Sequence, residues 1–172
     1  MTGEAVDLGE NRYRERFGRY FEDFTPGDIY EHRPNRTITE SDNSWFTLLT
    51  MNTHPLHFDK EYARHSEFGQ RLVCSTFTVA LMVGMSVTDV SQKAIANLGW
   101  TNISLTHPLF IGDTLSAESE VLEKRESKSR PHAGIVTVKT RGFNQDGKIV
   151  CAFERTILVM KRAAANEAKA NY

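Results

Sequence analysis

Apolar residues change their spacing twice along this 172-residue chain, and the changes divide it into segments. Residues 1–20 are charged and contain glycine, an arm that orders only where something ties it down. Thr25-Pro26-Gly27-Asp28 is a strong turn signal. Ile29 to Ile38 then reads as a strand carrying several polar residues. Thr39-Glu40-Ser41-Asp42 resembles a capping box with Asp in place of the usual Glu. It opens a short helix in which Trp45, Phe46, Leu48 and Leu49 share one apolar face. Asp59 is placed to cap a second short helix, Lys60 to His65, before Gly69 breaks it.

Val73 to Val90 has almost no polar face. Phe77, Val79, Ala80, Leu81, Met82, Val83, Met85 and Val87 are interrupted only by small Ser, Thr and Gly. A helix apolar all round is surrounded by protein. Gly84 in its middle costs about 1 kcal/mol relative to Ala, which close backbone packing justifies. After it the period becomes two: Leu98–Leu105, Thr114–Lys124, Gly134–Asn144 and Lys148–Lys161 read as strands. Asn144-Gln145-Asp146-Gly147 is a hairpin turn and Ile111-Gly112-Asp113-Thr114 a second bend. There is no internal repeat.

One strand, short helices, one buried helix and a run of antiparallel strands predict an α+β hot-dog fold. In it a curved antiparallel sheet wraps around a long central helix. The predicted domain spans 21–162, between the arm at 1–20 and an Ala-rich tail at 163–172 that reads as a frayed helix or a flexible end. A half-wrapped helix and an open edge strand both argue for a homodimer or a larger dimer-based assembly.

Composition narrows the function. A net charge of −1 gives no general pull toward nucleic acid or an anionic membrane, and no aromatic–basic stripe marks a nucleic-acid module. Cys74 and Cys151 sit in apolar surroundings outside any Cys-x-x-Cys pair, which suits free thiols in a reducing compartment. The N-terminal residues lack the apolar core of a signal peptide. The longest strongly apolar run, Phe77 to Met85, is too short to cross a bilayer. A cytoplasmic location is the expectation.

The chemistry concentrates in Asn52-Thr53-His54-Pro55-Leu56-His57-Phe58-Asp59, which brings two imidazoles and a carboxamide together where the short helix ends. Pro55 stiffens the turn between them. Such a loop suits acid–base chemistry, although loop histidines are commonly only solvated. A zinc site from His54, His57 and Asp59 lacks a recognisable fourth group, so no metal is expected.

These residues carry a resemblance to the MaoC-like hydratases, the hot-dog proteins that include R-specific enoyl-CoA hydratases. It runs from about Phe21 to Arg162. The family's Asp-x-Asn-Pro-x-His followed by Asp is similar to Asn52-Thr53-His54-Pro55-Leu56-His57 with Asp59 after it. Thr39-Glu40-Ser41-Asp42, Phe68-Gly69 and Gly112-Asp113-Thr114 also fit, in order and spacing. Met51-Asn52-Thr53, Ala94 to Trp100 and Arg125 to Pro131 look most like the subgroup acting on itaconyl-CoA or mesaconyl-CoA.

The resemblance implies reversible addition of water to a short enoyl-CoA, with coenzyme A as part of the substrate and no prosthetic group. In the family an Asp and a His hold the water, and a backbone N–H at the start of the central helix serves the thioester oxygen. His57 takes the histidine position. The aspartate position holds Asn52, which can orient water but cannot accept its proton near neutral pH. His57 acting alone, His54 sharing the proton transfers, and a substrate carboxylate replacing the missing anion are all open. Ser75 stands where the family has Gly, as oxyanion donor or simply as helix cap. Arg125, Lys128 and Arg130 are candidates for the phosphates of coenzyme A or a distal carboxylate, against the commoner fate of a solvated run. The rivals are a hot-dog thioesterase, for which Cys74-Ser75-Thr76 offers no carboxylate, and a non-catalytic acyl-CoA-binding or regulatory subunit suggested by Asn52.

Overall fold

The computed structural model describes residues 5–165, and its turns fall at the signals that Gly and Asp provide. β1 (Val6–Asp7) and β2 (Tyr13–Arg14) form a small hairpin within the N-terminal arm. Arg19 ties the arm's end to the body: it donates to the Asp89 carbonyl at 2.6 Å and stacks over the Tyr30 ring. Residues 1–4 and most of the expected tail, 166–172, lie outside the described residues.

β3 (Ile29–Thr37) leads into α1 (Glu40–Leu49) through the expected capping box, in which Thr39 and Asp42 each bind the other's backbone N–H. The Asp59 carboxylate caps α2 (Lys60–Arg64) by accepting from Glu61 and Tyr62. α3 (Ser75–Met85) follows, then β4 (Ala94–Leu105), β5 (Thr114–Glu126), β6 (Ala133–Phe143) and β7 (Ile149–Met160). The five long strands form one antiparallel sheet in the order β3-β5-β6-β7-β4, with α3 against one face. This is the hot-dog arrangement. Gly147 at φ 74° closes the β6–β7 hairpin and Gly112 at φ 98° makes the bend before β5, a backbone region glycine enters without steric cost.

Side chains alternate across the sheet as a period of two requires. Leu115, Ala117, Val150, Cys151 and Phe153 meet Met82 of α3, while Val121, Val136, Val138 and Ile157 enclose Phe21 and Phe24. Each fully buried residue of this size contributes roughly 1.5–3 kcal/mol relative to exposure. Gly142 makes the helix seat possible: a Cβ there would stand 2.6 Å from the Met82 sulfur.

Three details differ from the sequence-based expectation. The apolar run Val73–Val90 is not one helix; α3 stops at Met85 and a π-helical segment, Val87–Ser91, follows. Ser86 marks the break, because its hydroxyl donates to the Val83 carbonyl and accepts from the buried Arg155 guanidinium at 3.1 Å. Burial lowers the Arg155 pKa to about 10. Gly84 is not a point of close packing within the chain, since a Cβ there meets nothing within 4 Å. It lies on the exposed side of α3 with Thr76, Ala80 and Thr88, so only Thr78 and Met82 of this helix are fully buried.

α1 inverts the usual amphipathic logic. It buries the polar Asn43 and Thr47 and leaves Trp45, Leu48 and Leu49 66–77% exposed. Among the described residues β4 pairs only with β7, and it exposes Ile95, Leu98, Trp100, Ile103 and Leu105 along its length. An open strand edge and an exposed apolar helix face are the two kinds of surface that mark interaction sites. No helix among the described residues is long and apolar enough to cross a membrane.

Candidate active site

Asn43 explains why α1 buries a polar side chain. Its amide nitrogen donates to the His57 carbonyl at 2.8 Å and to the Leu72 carbonyl at 3.2 Å, and its oxygen accepts the Cys74 N–H at 2.8 Å. One fully buried carboxamide therefore ties the histidine loop, the approach to α3 and the helix start together. The Phe46–Phe77 ring contact, 5.2 Å between centroids, fixes α1 to α3 beside it.

His57 ends a one-turn 3-10 helix, Pro55–His57, that Pro55 opens. Its Nδ1 lies 2.9 Å from the Leu72 carbonyl oxygen. A carbonyl only accepts, so Nδ1 carries the proton and the Nε2 lone pair of the neutral ring is left for another partner. This is the tautomer a general base needs.

His54 is placed differently. Its Nδ1 accepts the Leu56 N–H at 3.2 Å, so the ring caps the 3-10 turn. It stands 5.8 Å from the His57 ring and 6.1 Å from that of Tyr62, centroid to centroid. The two imidazoles are adjacent and each commits Nδ1 to the backbone, as donor in His57 and as acceptor in His54.

Asn52 uses both ends of its carboxamide inside the loop. Oδ1 accepts the His54 N–H at 3.1 Å, and Nδ2 donates to the Cys74 sulfur at 3.4 Å. Burial alone pushes the Cys74 thiol up. The Thr76 hydroxyl, the Phe77 N–H, the Asn52 amide and the Thr76 N–H around Sγ outweigh it and hold the pKa below the ordinary thiol value. Cys151 has no such donors, and burial pushes it up to about 11.

The first turn of α3 has few spare donors. Cys74, not Ser75, is the cap residue. Its own N–H goes to Asn43, those of Thr76 and Phe77 point at its sulfur, and Thr78 N–H binds the Cys74 carbonyl. Among the described residues no hydrogen bond engages the Ser75 N–H, the first amide of the helix. Such an orphan amide at a helix N-terminus favours developing negative charge.

The structure does not bring Arg125, Lys128 and Arg130 to this place within one chain. Arg125 is near the end of β5, and the other two lie exposed on the turn to β6. The site adjoins the opposite end, where Thr114 pairs with Thr37 just before α1. The 3.3 Å rise of a strand puts that end about 35 Å away. Metal-ligating clusters of three or more His, Cys, Asp or Glu are absent among the described residues. Asp59 is committed to capping α2.

Two contributors escape sequence reasoning. Asn43 sits in a helix that reads as amphipathic, and only its place three residues after the Thr39–Glu40 start hints at an inward face. His107 lines a cavity of about 210 Å³ against the first turn of α3, together with Leu72, Ser75, Thr78, Leu105 and Val150. The His107-Pro108 dipeptide repeats the pairing of His54-Pro55 and was the available signal.

Comparison with known proteins gives the family and the fold. A family model described as mesaconyl-CoA hydratase matches residues 4–171. The mesaconyl-CoA hydratase of Cereibacter sphaeroides is 36% identical over 153 residues, which cover 89% of this chain and 44% of that protein. The chain thus spans less than half the length of that relative. A solved MaoC-like dehydratase from Rhodospirillum rubrum superposes with TM-score 0.74 at 31% identity, over 84% of this chain and 99% of that one. A Mycobacterium tuberculosis protein described as a double hot-dog fold superposes with TM-score 0.79 over 86% of this chain and 46% of its own, and at 19% identity it shows the fold alone. The orphan helix amide, the loop histidine and these matches lead to one assignment: the chain belongs to the mesaconyl-CoA hydratase family of MaoC-like hot-dog proteins.

Proposed function

We propose that this chain is a hydro-lyase that adds water reversibly to the double bond of a short branched dicarboxylic enoyl-CoA, of which mesaconyl-CoA is the first candidate. The observation that carries the reading is His57, whose Nδ1 is held on the Leu72 carbonyl and whose Nε2 is left as an acceptor. In this mechanism Nε2 takes a proton from water as its oxygen bonds to the β-carbon. The electrons of the double bond move toward the thioester oxygen, and the Ser75 N–H stabilises the enolate charge there. The His57 imidazolium then returns its proton to the α-carbon, so one water is added and the enzyme is regenerated. The Leu72 carbonyl steadies the imidazolium throughout. The working unit is two hot-dog units joined along β4, since β4 is the open apolar edge.

One observation favours a second reading, a subunit that binds acyl-CoA without hydrating it. Both ends of Asn52 are committed within the loop and to Cys74, which leaves His57 as the only evident base. The test is incubation with mesaconyl-CoA, itaconyl-CoA and crotonyl-CoA separately, following hydrated product and free thiol, with His57→Ala alongside. Hydration of mesaconyl-CoA, reduced about 10²–10⁴-fold in the variant, is expected. Faster turnover of crotonyl-CoA removes the dicarboxylic assignment. Release of free thiol makes the protein a thioesterase, and binding without turnover makes it a binding subunit.

A further inference from the structure

The His107 cavity touches the helix end that the proposed reaction uses, since Leu72, Val73 and Ser75 line it together with the segment 105–109. Its place is fixed by backbone. The link between β4 and β5 that carries His107 is stitched to the approach of α3 by a Leu72–Phe110 bridge and by Val73 N–H donating to the Leu109 carbonyl at 2.8 Å. His107 is therefore held relative to Ser75 by main-chain bonds on both segments.

The polar content of this cavity is low and largely used. Thr78 donates its hydroxyl to the Cys74 carbonyl, and Thr106 donates to the Ile149 carbonyl. His107 is the one titratable residue in the lining, and among the described residues no hydrogen bond or ion pair engages its ring. An imidazole offers at least one N–H in either protonation state. A half-buried donor without a partner, facing an apolar cavity, is a place for a polar group of a ligand. The volume, about 210 Å³, falls below the roughly 300–1,000 Å³ of sites for drug-sized ligands, so it suits a short acyl group.

We propose that His107 is a specificity-determining residue that binds the distal carboxylate of a four- or five-carbon dicarboxylic acyl-CoA whose thioester oxygen lies at the Ser75 N–H. This deepens the hydratase reading and rests on it for the position of the thioester. It moves carboxylate recognition from the Arg125–Arg130 turn to the β4–β5 link. An apolar acyl terminus of the same length leaves the imidazole N–H unpaired, and that mismatch supplies the discrimination.

Binding without turnover tests it apart from catalysis. Succinyl-CoA and butyryl-CoA have the same chain length and no double bond, and they differ at the distal carboxylate. Titration calorimetry of the full chain is expected to show succinyl-CoA bound at least about tenfold more tightly than butyryl-CoA, the scale of one charge-assisted hydrogen bond. His107→Leu should erase that preference while leaving butyryl-CoA within about threefold of wild type, and His107→Gln, which keeps an N–H donor, should retain part of it. No preference in the wild type, or a preference that survives His107→Leu, overturns the proposal. So does equal weakening of both ligands in a variant with wild-type melting behaviour, because His107 then serves the shared part of the ligand. A preference erased as expected in a protein that hydrates no enoyl-CoA keeps the carboxylate site and removes the hydratase reading instead.

Discussion

The side-chain amide of Asn43 donates to the main-chain carbonyl of His57 at 2.8 Å, from a position where no part of Asn43 is exposed to solvent. The same side chain holds the Leu72 carbonyl and the Cys74 N–H. His57 and the start of α3, the proposed base and the proposed oxyanion donor, thus share one positioning residue. Asn43→Leu leaves the His57 carbonyl and the Cys74 N–H without their side-chain partner and removes one of the two donors on the Leu72 carbonyl, and an unfolding midpoint lowered by the equivalent of about 2–4 kcal/mol is expected. In protein that still folds, kcat should fall by roughly 10²-fold while KM changes little, because misplacement of about 1 Å costs that much. Wild-type kcat in the folded variant contradicts the positioning role.

Asn52, expected from the sequence at the family's aspartate position, has the geometry of a loop brace. Asn52→Ala removes one backbone contact and one weak sulfur contact. A stability loss of about 1 kcal/mol and a fall in kcat smaller than tenfold are expected. Asn52→Asp keeps the acceptor for His54 N–H and should leave the loop intact. A loss in Asn52→Ala as deep as that of His57→Ala would instead place Asn52 on the reacting water, and steady-state kinetics of the three variants decides.

His32 gives the fold a defined acid sensitivity. It is fully buried, with Nδ1 at 3.0 Å from Asp89 and Nε2 at 2.8 Å from the Ser119 hydroxyl. Burial lowers its pKa below 6.5 and outweighs the Asp89 hydrogen bond that raises it. The unfolded chain therefore binds a proton at a pH where the folded protein does not, and stability falls as pH drops below the ordinary imidazole range. Urea midpoints at about pH 7.5 and about pH 5 should differ more for wild type than for His32→Gln. An equal pH slope in both contradicts this assignment.

The open edge of β4 accounts for the exposed Trp100 and Ile103, 42% and 52% accessible in the single chain. Charges on an edge strand block strand pairing. Trp100→Asp with Ile103→Lys is expected to convert the wild-type assembly to monomer in sedimentation velocity. A monomeric wild-type protein removes the assembly, and an assembly unchanged by the double substitution moves its interface elsewhere, with the exposed Trp45, Leu48 and Leu49 face as the next location.

The elements of this fold are local events, and the sequence by itself determined them. The Thr39–Asp42 box, the Asp59 cap, the Asp-Gly turn at 146–147 and the period-two strands each act within a few residues, through backbone hydrogen bonds and allowed φ/ψ values. The loop holding Asn52, His54 and His57 was legible for the same reason. Tertiary structure decided what depends on groups distant along the chain. Leu72 selects the His57 tautomer from fifteen residues away, and Asn43 reaches Cys74 across thirty-one. Buried Arg155 binds Ser86, where α3 gives way to the π-helical segment, from sixty-nine residues away. No spacing rule encodes such pairings, because side-chain direction is set only once the sheet has closed around the helix. For that reason the Arg125–Arg130 run resembled a ligand site and is exposed at the far end of β5, while His107, in an ordinary strand-to-strand link, faces the helix end where the thioester is proposed to sit.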